Sequence, residues 1–402
     1  MTTPSTATQQ RALQLLQGIS GWQCPLDSND RFLSITLWTS WFPRLILVRR
    51  NIRQSSTIMG IVESRDGILI NAWPRWAYFL TLCLATAPTA FGACKIVRLA
   101  ELQVSLVRNR PLIEGQVNGH VVKILVDTGS TFSFIRQEEA KQLGLKVNAV
   151  QNVSVFGVGG EARFGATMLK EIKFGPFTDR NLPLAVVGPQ QGQHQGEATL
   201  VLGEDFFSNF STEFDFAHGV IRLLRPEGCK PDQLAYWSDQ YSLAELSSAD
   251  PERARIQTDV VLNGKHVDAI LDTGASTSTV SQSAAKGAGV NPSQDGTKST
   301  GQVTGLAGKP IDVWVGTFGA FALGDESVRN VKLQIADLFT ADTQRTTGSR
   351  IPQRVEGLPE MLLGTDFFRA HRILVLFKER KLVFTYNGGA IFHNIEFDAN
   401  PD

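Results

Sequence analysis

Short apolar runs separated by turn residues fill the chain from about residue 98 onward, which reads as mostly β-structure with one or two short helices per unit. Two of the turns are Asn-Gly pairs: Asn118-Gly119 precedes the apolar run Val121–Val126, and Asn263-Gly264 precedes His266–Leu271. Asn-Gly between two apolar runs is a strong hairpin signal, because both residues tolerate positive φ. The strand after each turn is largely apolar, hence expected to be buried, and it runs into Asp127-Thr128-Gly129 or Asp272-Thr273-Gly274. Glycine permits a tight turn there. A further strand follows (Phe132–Ile135; Ser278–Ser281), then a short helix ending at Gly144 or Gly289.

The two copies align without a gap. The Asn-Gly pairs, the Asp residues and the terminal glycines are all displaced by the same 145 residues. A second element also recurs: Leu202-Gly203-Glu204-Asp205-Phe206-Phe207 matches Leu363-Gly364-Thr365-Asp366-Phe367-Phe368. Each is followed by hairpin-like sequence. Lobe 1 is therefore expected over residues 98–226, lobe 2 over 255–386, a polar linker over 227–254 and a C-terminal tail over 387–402. Asp205 and Asp366 are expected to cap helix N-termini, and the paired phenylalanines to lie in the core.

Composition separates the first 94 residues, which contain no lysine, from the remaining 308, which contain 14. Arg75 precedes the apolar run Trp76–Ala87, and small residues follow as far as Cys94. A basic flank, a short apolar core and a small-residue exit resemble a secretory signal peptide. Residues 76–93 are read as that segment and residues 1–75 as a doubtful extension, with Met59 an alternative start. The expected location is exported: periplasmic or otherwise extracytoplasmic. Membrane attachment through the N-terminal segment, or through lipid on Cys94, stays open beside a Cys94–Cys229 disulfide. Net charge is zero, and no run of either sign leaves a nucleic-acid footprint. The scattered histidines and cysteines lack metal-ligand spacing, so no metal or cofactor is assigned.

Asp-Thr-Gly is expected by chance about 0.1 times in such a chain. Its two occurrences, at equivalent repeat positions after apolar strands, suit an acid–base pair. Two desolvated carboxyls brought face to face share one proton. The ionised one can activate water for attack on a peptide carbonyl, while the protonated one donates to the developing oxyanion.

Apolar-apolar-Asp-Thr-Gly-Ser/Ala, followed downstream by apolar-apolar-Gly, resembles the signature of the retropepsin-like and pepsin-like aspartic peptidases. The resemblance covers nearly all of residues 98–386. It implies two retropepsin-like β-barrel lobes forming a pepsin-like pseudo-dimer, with Asp127 and Asp272 catalytic. Thr128, Gly129, Ser130, Thr273, Gly274 and Ala275 would support the active-site loops, the threonines by hydrogen bonds across the lobe interface. It also implies a β-hairpin flap, for which Phe156, Gly157, Gly159 and Gly160 are the candidates. Lobe 2 offers Val303–Gly308 as a second. The expected substrate is a peptide or protein held extended by a monomer. A non-catalytic module that binds extended peptide is the alternative. Ser130 stands opposite Ala275, and its hydroxyl is expected to make Asp127 the more acidic partner.

Overall fold

In the computed structural model, which describes residues 94–158, 160–189, 198–230, 233–247, 256–293, 296–305, 310–338, 344–345, 353–354 and 359–392, both Asn-Gly pairs turn tight hairpins. Asn118 and Gly119 have φ of 50° and 87°, and Asn263 and Gly264 of 49° and 81°. These left-handed values match the twist of the flanking strands.

Lobe 1 runs β1 (Lys95–Gln103), β2 (Ser105–Val107), β3 (Arg110–Val117), β4 (His120–Val126), β5 (Phe134–Arg136), α1 (Gln137–Gln142), β6 (Asn148–Gly157), β7 (Gly160–Phe174) and β8 (Phe177–Pro189). It continues with β9 (Leu200–Leu202), α2 (Glu204–Phe207), β10 (Ser211–Asp215) and β11 (Val220–Glu227). Lobe 2 repeats the plan as β12 (Ser242–Ser247), β13 (Gln257–Leu262), β14 (Lys265–Leu271), β15 (Thr279–Ser281), α3 (Gln282–Gly287), β16 (Lys298–Thr304), β17 (Pro310–Leu323) and β18 (Glu326–Ala336). The short pair β19 (Gln344–Arg345) and β20 (Gln353–Arg354) follows, then β21 (Met361–Leu363), α4 (Thr365–Ala370), β22 (His371–Leu376) and β23 (Lys381–Tyr386).

The lobes have the same strand order. In lobe 1 it is β3-β4-β9-β5-β8-β7, closed into a barrel by pairing of β7 with β3. In lobe 2 it is β13-β14-β21-β15-β18-β17, closed by β17 on β13. The fold is thus mainly β, with two closed six-stranded barrels in tandem as expected, and both lobes belong to one compact unit.

A six-stranded sheet joins the lobes, in the order β1-β11-β10-β22-β23-β12. Its seam is the antiparallel pairing of β10 with β22, where Phe214 lies opposite Ile373. Beside it the rings of Phe214 and Phe368 meet edge to face at 5.4 Å. Part of the segment read as linker supplies β12, which pairs with both β23 and β13. That segment's aromatics pack on the same sheet: Trp237 Nε1 donates to Thr385 Oγ1 at 3.0 Å, and the Arg372 guanidinium lies 4.5 Å from the Trp237 ring.

One charge is fully buried at the seam. Glu213 has no exposed surface, and its Oε1 accepts from Arg222 (2.5 Å) and Arg372 (3.1 Å). Its Oε2 accepts from the Tyr236 hydroxyl at 2.5 Å. A buried carboxylate with both oxygens met in this way escapes most of its desolvation cost.

Cys94 and Cys229 form a disulfide that fastens the start of β1 to the end of β11. Cys94 Sγ is thereby paired rather than lipid-bearing. No helix of the described residues is long and apolar enough to cross a membrane. The N-terminal extension, the signal-like segment, Gly159 and the tail beyond residue 392 lie outside the described residues.

Candidate active site

Each Asp-Thr-Gly turn follows a strand held in a parallel pairing. β4 runs parallel to β9 and β14 parallel to β21. The amide of Asp127 donates to Leu202 O at 3.0 Å, and that of Asp272 to Leu363 O at 2.8 Å. The recurring Leu-Gly element is therefore the shelf on which each Asp stands. The short helix after it touches the same turn: Glu204 N donates to Ser130 O (2.9 Å), and Thr365 N to Ala275 O (2.8 Å).

The two turns lock together across the lobe interface. Thr128 N donates to Thr273 Oγ1 (3.0 Å) and Thr273 N to Thr128 Oγ1 (3.1 Å). The hydroxyls reach further: Thr128 Oγ1 donates to Leu271 O (2.7 Å) and Thr273 Oγ1 to Val126 O (2.8 Å). Both threonines are buried, so these bonds are shielded from water.

This lock brings Asp127 and Asp272 into hydrogen-bond contact. Each carboxylate is also met by its own turn. Asp127 Oδ1 accepts from Gly129 N and Ser130 N, both at 3.0 Å. Asp272 Oδ1 accepts from Gly274 N (2.9 Å) and Ala275 N (3.1 Å). The glycines have a second function, because each packs on the opposite carboxyl. A methyl on Gly129 would overlap Asp272, and one on Gly274 would overlap Asp127.

Burial pushes both carboxyls up, and the charge and hydrogen bond of Asp127 push Asp272 further. The positive charge of Arg110 acts on Asp127 in the opposite direction. The β3–β4 pairing ends where Leu112 faces Leu125, two residues after Arg110 and two before Asp127. On Asp127 the hydrogen bond with Asp272 and the amide of Ser130 act in the same direction as Arg110, and more strongly. The Ser130 hydroxyl has no part in this: it donates to Phe132 O at 2.8 Å, within its own loop.

Asp205 and Asp366 are not the N-cap residues expected, although each carboxylate accepts from the helix amide that follows it (Phe206 N, 3.0 Å; Phe367 N, 2.9 Å). Gly203 and Gly364 occupy the N-cap positions without side-chain caps, and the carboxylates turn to the loops behind the dyad. Asp205 accepts from Ser133 Oγ at 2.7 Å. Asp366 accepts from Ser278 N (2.9 Å) and Ser278 Oγ (2.6 Å), and burial pushes it up to about 6.

Gly157 and Gly160 close the hairpin of β6 and β7, whose strands include Phe156. β16 and β17 form the matching hairpin of lobe 2. The two tips touch: the Val158 carbonyl lies where a Cβ on Gly305 would stand. Val158 also packs on the lobe 2 cluster of Ile270, Val313, Ala336, Leu338 and Leu362.

Two family models match this chain in tandem. The gag-polyprotein aspartyl protease model covers residues 113–209, and an aspartyl protease model covers residues 258–367. Each contains one Asp-Thr-Gly turn and one Leu-Gly shelf. The chain belongs to the retropepsin-like aspartic peptidase family. Membership makes it a hydrolase of the peptidase class in general terms. An uncharacterized protein in the cobV 5′ region of a Sinorhizobium species is 37% identical over 71 residues, or 17% of this chain. The chain spans 30% of that relative's length.

Within this retropepsin-like frame the structure gathers Asp127, Thr128, Gly129, Ser130, Asp272, Thr273, Gly274 and Ala275 at one place. Asn109 and Arg110 were not singled out by the sequence. The one available signal for Arg110 was its place: two residues further back than Leu112, as Asp127 is two further on than Leu125.

Proposed function

We propose that the chain is an aspartic endopeptidase whose single composite site is formed by Asp127 and Asp272. One observation carries this reading. The two carboxyls share a hydrogen bond, while each is held by two backbone N–H groups of its own turn. Asp127 is the base: it takes a proton from water as the water oxygen attacks the scissile carbonyl carbon. Asp272 is the acid and donates its proton to the developing oxyanion. Collapse of the tetrahedral intermediate breaks the C–N bond as Asp127 gives its proton to the leaving nitrogen and Asp272 takes one back from a hydroxyl of the intermediate, which restores the starting pair. No side chain forms a covalent bond with the substrate.

The substrate is an extended peptide lying between the barrels and held by backbone hydrogen bonds. The two hairpins are assigned as flaps, with Phe156, Gly157 and Gly160 on the first and Gly305 on the second. Tip-to-tip contact supports a cover contributed by both lobes. Because each lobe supplies one Asp, a monomer suffices. The signal-like segment and the Cys94–Cys229 disulfide support an exported location.

Cleavage of a peptide library by residues 94–402 in ¹⁸O-labelled water, across pH 3–8, tests the reaction. One ¹⁸O in each new carboxyl, produced by a monomer in light scattering, is the expected result. Peptides bound but uncut at every pH would instead identify a binding module.

A further inference from the structure

The two Asp-Thr-Gly loops are not braced in the same way. In lobe 1 the Ser130 hydroxyl donates to Phe132 O at 2.8 Å and ties the loop to itself. In lobe 2 the equivalent residue is Ala275, which has no hydroxyl. The brace there comes from the other lobe. Asn109 belongs to the β2–β3 turn of lobe 1, where Arg108 and Asn109 have φ of 47° and 58°. Its carboxamide Nδ2 donates to the carbonyl oxygen of Ser276, 167 residues away. Its Oδ1 accepts from the Arg369 guanidinium of α4 at 3.2 Å.

Chemistry fixes this arrangement. A guanidinium only donates and a carbonyl only accepts, so the amide has one orientation between them. Asn109 is 8% exposed, which keeps water from competing. The contact has no reciprocal, since the position displaced by 145 residues is Ala254, whose side chain cannot hydrogen-bond.

We propose that Asn109 is a positioning residue for Asp272, supplying from lobe 1 the brace that Ala275 cannot give its own loop. The path is short. Ser276 follows Ala275, whose amide donates to Asp272 Oδ1 (3.1 Å) and whose carbonyl accepts from Thr365 N (2.8 Å). Holding the Ser276 carbonyl toward lobe 1 keeps the Ala275 amide aimed at the carboxylate. Arg369 acts one step further back, orienting the Asn109 amide. The role in catalysis rests on the function proposed above, whereas the brace itself is geometry.

Asn109→Gly is the first variant, because glycine keeps the positive φ while removing the side chain. The expected result is a fall in kcat of about tenfold, the scale of one lost hydrogen bond acting on the barrier. KM should stay within about twofold, as no substrate-binding group is removed. Adding Ala275→Ser to Asn109→Gly supplies the internal brace of lobe 1 and should restore most of the loss. Arg369→Ala leaves the turn intact. It should cost about threefold alone and nothing more in the Asn109→Gly background, since the two act on one path.

An activity-free measurement separates this proposal from the reading it rests on. With ¹³C-labelled aspartate, Asn109→Gly should move the Asp272 carboxyl titration to higher pH, because a poorly aimed amide stabilises the ionised form less. If the wild type cleaves nothing, that titration still decides. Unchanged kcat, an unmoved Asp272 titration, or a loss that Ala275→Ser fails to rescue in folded protein would overturn the assignment.

Discussion

Thr128 and Thr273 each donate a backbone N–H to the other's hydroxyl, and each hydroxyl passes its own proton to a carbonyl of the opposite lobe. A valine at position 128 keeps the shape but leaves Thr273 N–H without its acceptor and Leu271 O without this donor. Thr128→Val should lower unfolding stability by about 2–4 kcal/mol, the cost of stranding two buried polar groups. Thr128→Ser retains the hydroxyl and should cost much less. Urea denaturation of the two variants makes the comparison, and equal stability would remove the lock from the account.

The pH profile follows from the directions of the two titrations. Burial raises both carboxyls, so the singly protonated pair persists above the ordinary carboxylate range. Activity should be bell-shaped in kcat/KM. The acid limb falls as Asp127 takes up a proton, and the alkaline limb falls as Asp272 loses one. Arg110→Gln removes the positive charge that favours ionised Asp127, so its acid limb should shift to higher pH. An acid limb unmoved by that substitution would return the asymmetry to another source.

The flap contact admits little change. Gly305→Ala directs a methyl at the Val158 carbonyl, so the tips must part. We expect KM for peptides to rise several-fold with a smaller change in kcat, measured on a fluorogenic peptide. A rise confined to kcat would place Gly305 elsewhere in the cycle.

Glu213 is the most exacting position outside the cleft. Glu213→Ala strips the shared acceptor from Arg222, Arg372 and Tyr236 at the seam of β10 and β22. Breaking a buried ion cluster in this way should cost about 3–5 kcal/mol. Thermal melts at low and at 1 M salt should show nearly the same loss, because a shielded cluster is poorly screened.

The barrels were legible because their signals are local. Asn118-Gly119 and Asn263-Gly264 set the hairpins, and the common 145-residue displacement carried the second lobe onto the first. β12 was hidden because Ser242–Ser247 lies in polar, proline-flanked sequence, and its strand character comes from partners β13 and β23. Ser130 was placed correctly in the loop, but its hydroxyl direction depends on a carbonyl two residues on. Asn109 carried no motif at all. It is a turn residue whose partner Ser276 lies in the other lobe, and residue spacing cannot report such a contact.

The central claim is one composite site, half from each lobe. Cleavage of a fluorogenic peptide by monomeric Asp127→Asn and Asp272→Asn, each shown to be folded by circular dichroism, tests it most directly. The account predicts that either substitution alone abolishes turnover, and that mixing the two inactive proteins restores none. Substantial cleavage by either single variant would contradict it, because one lobe would then suffice.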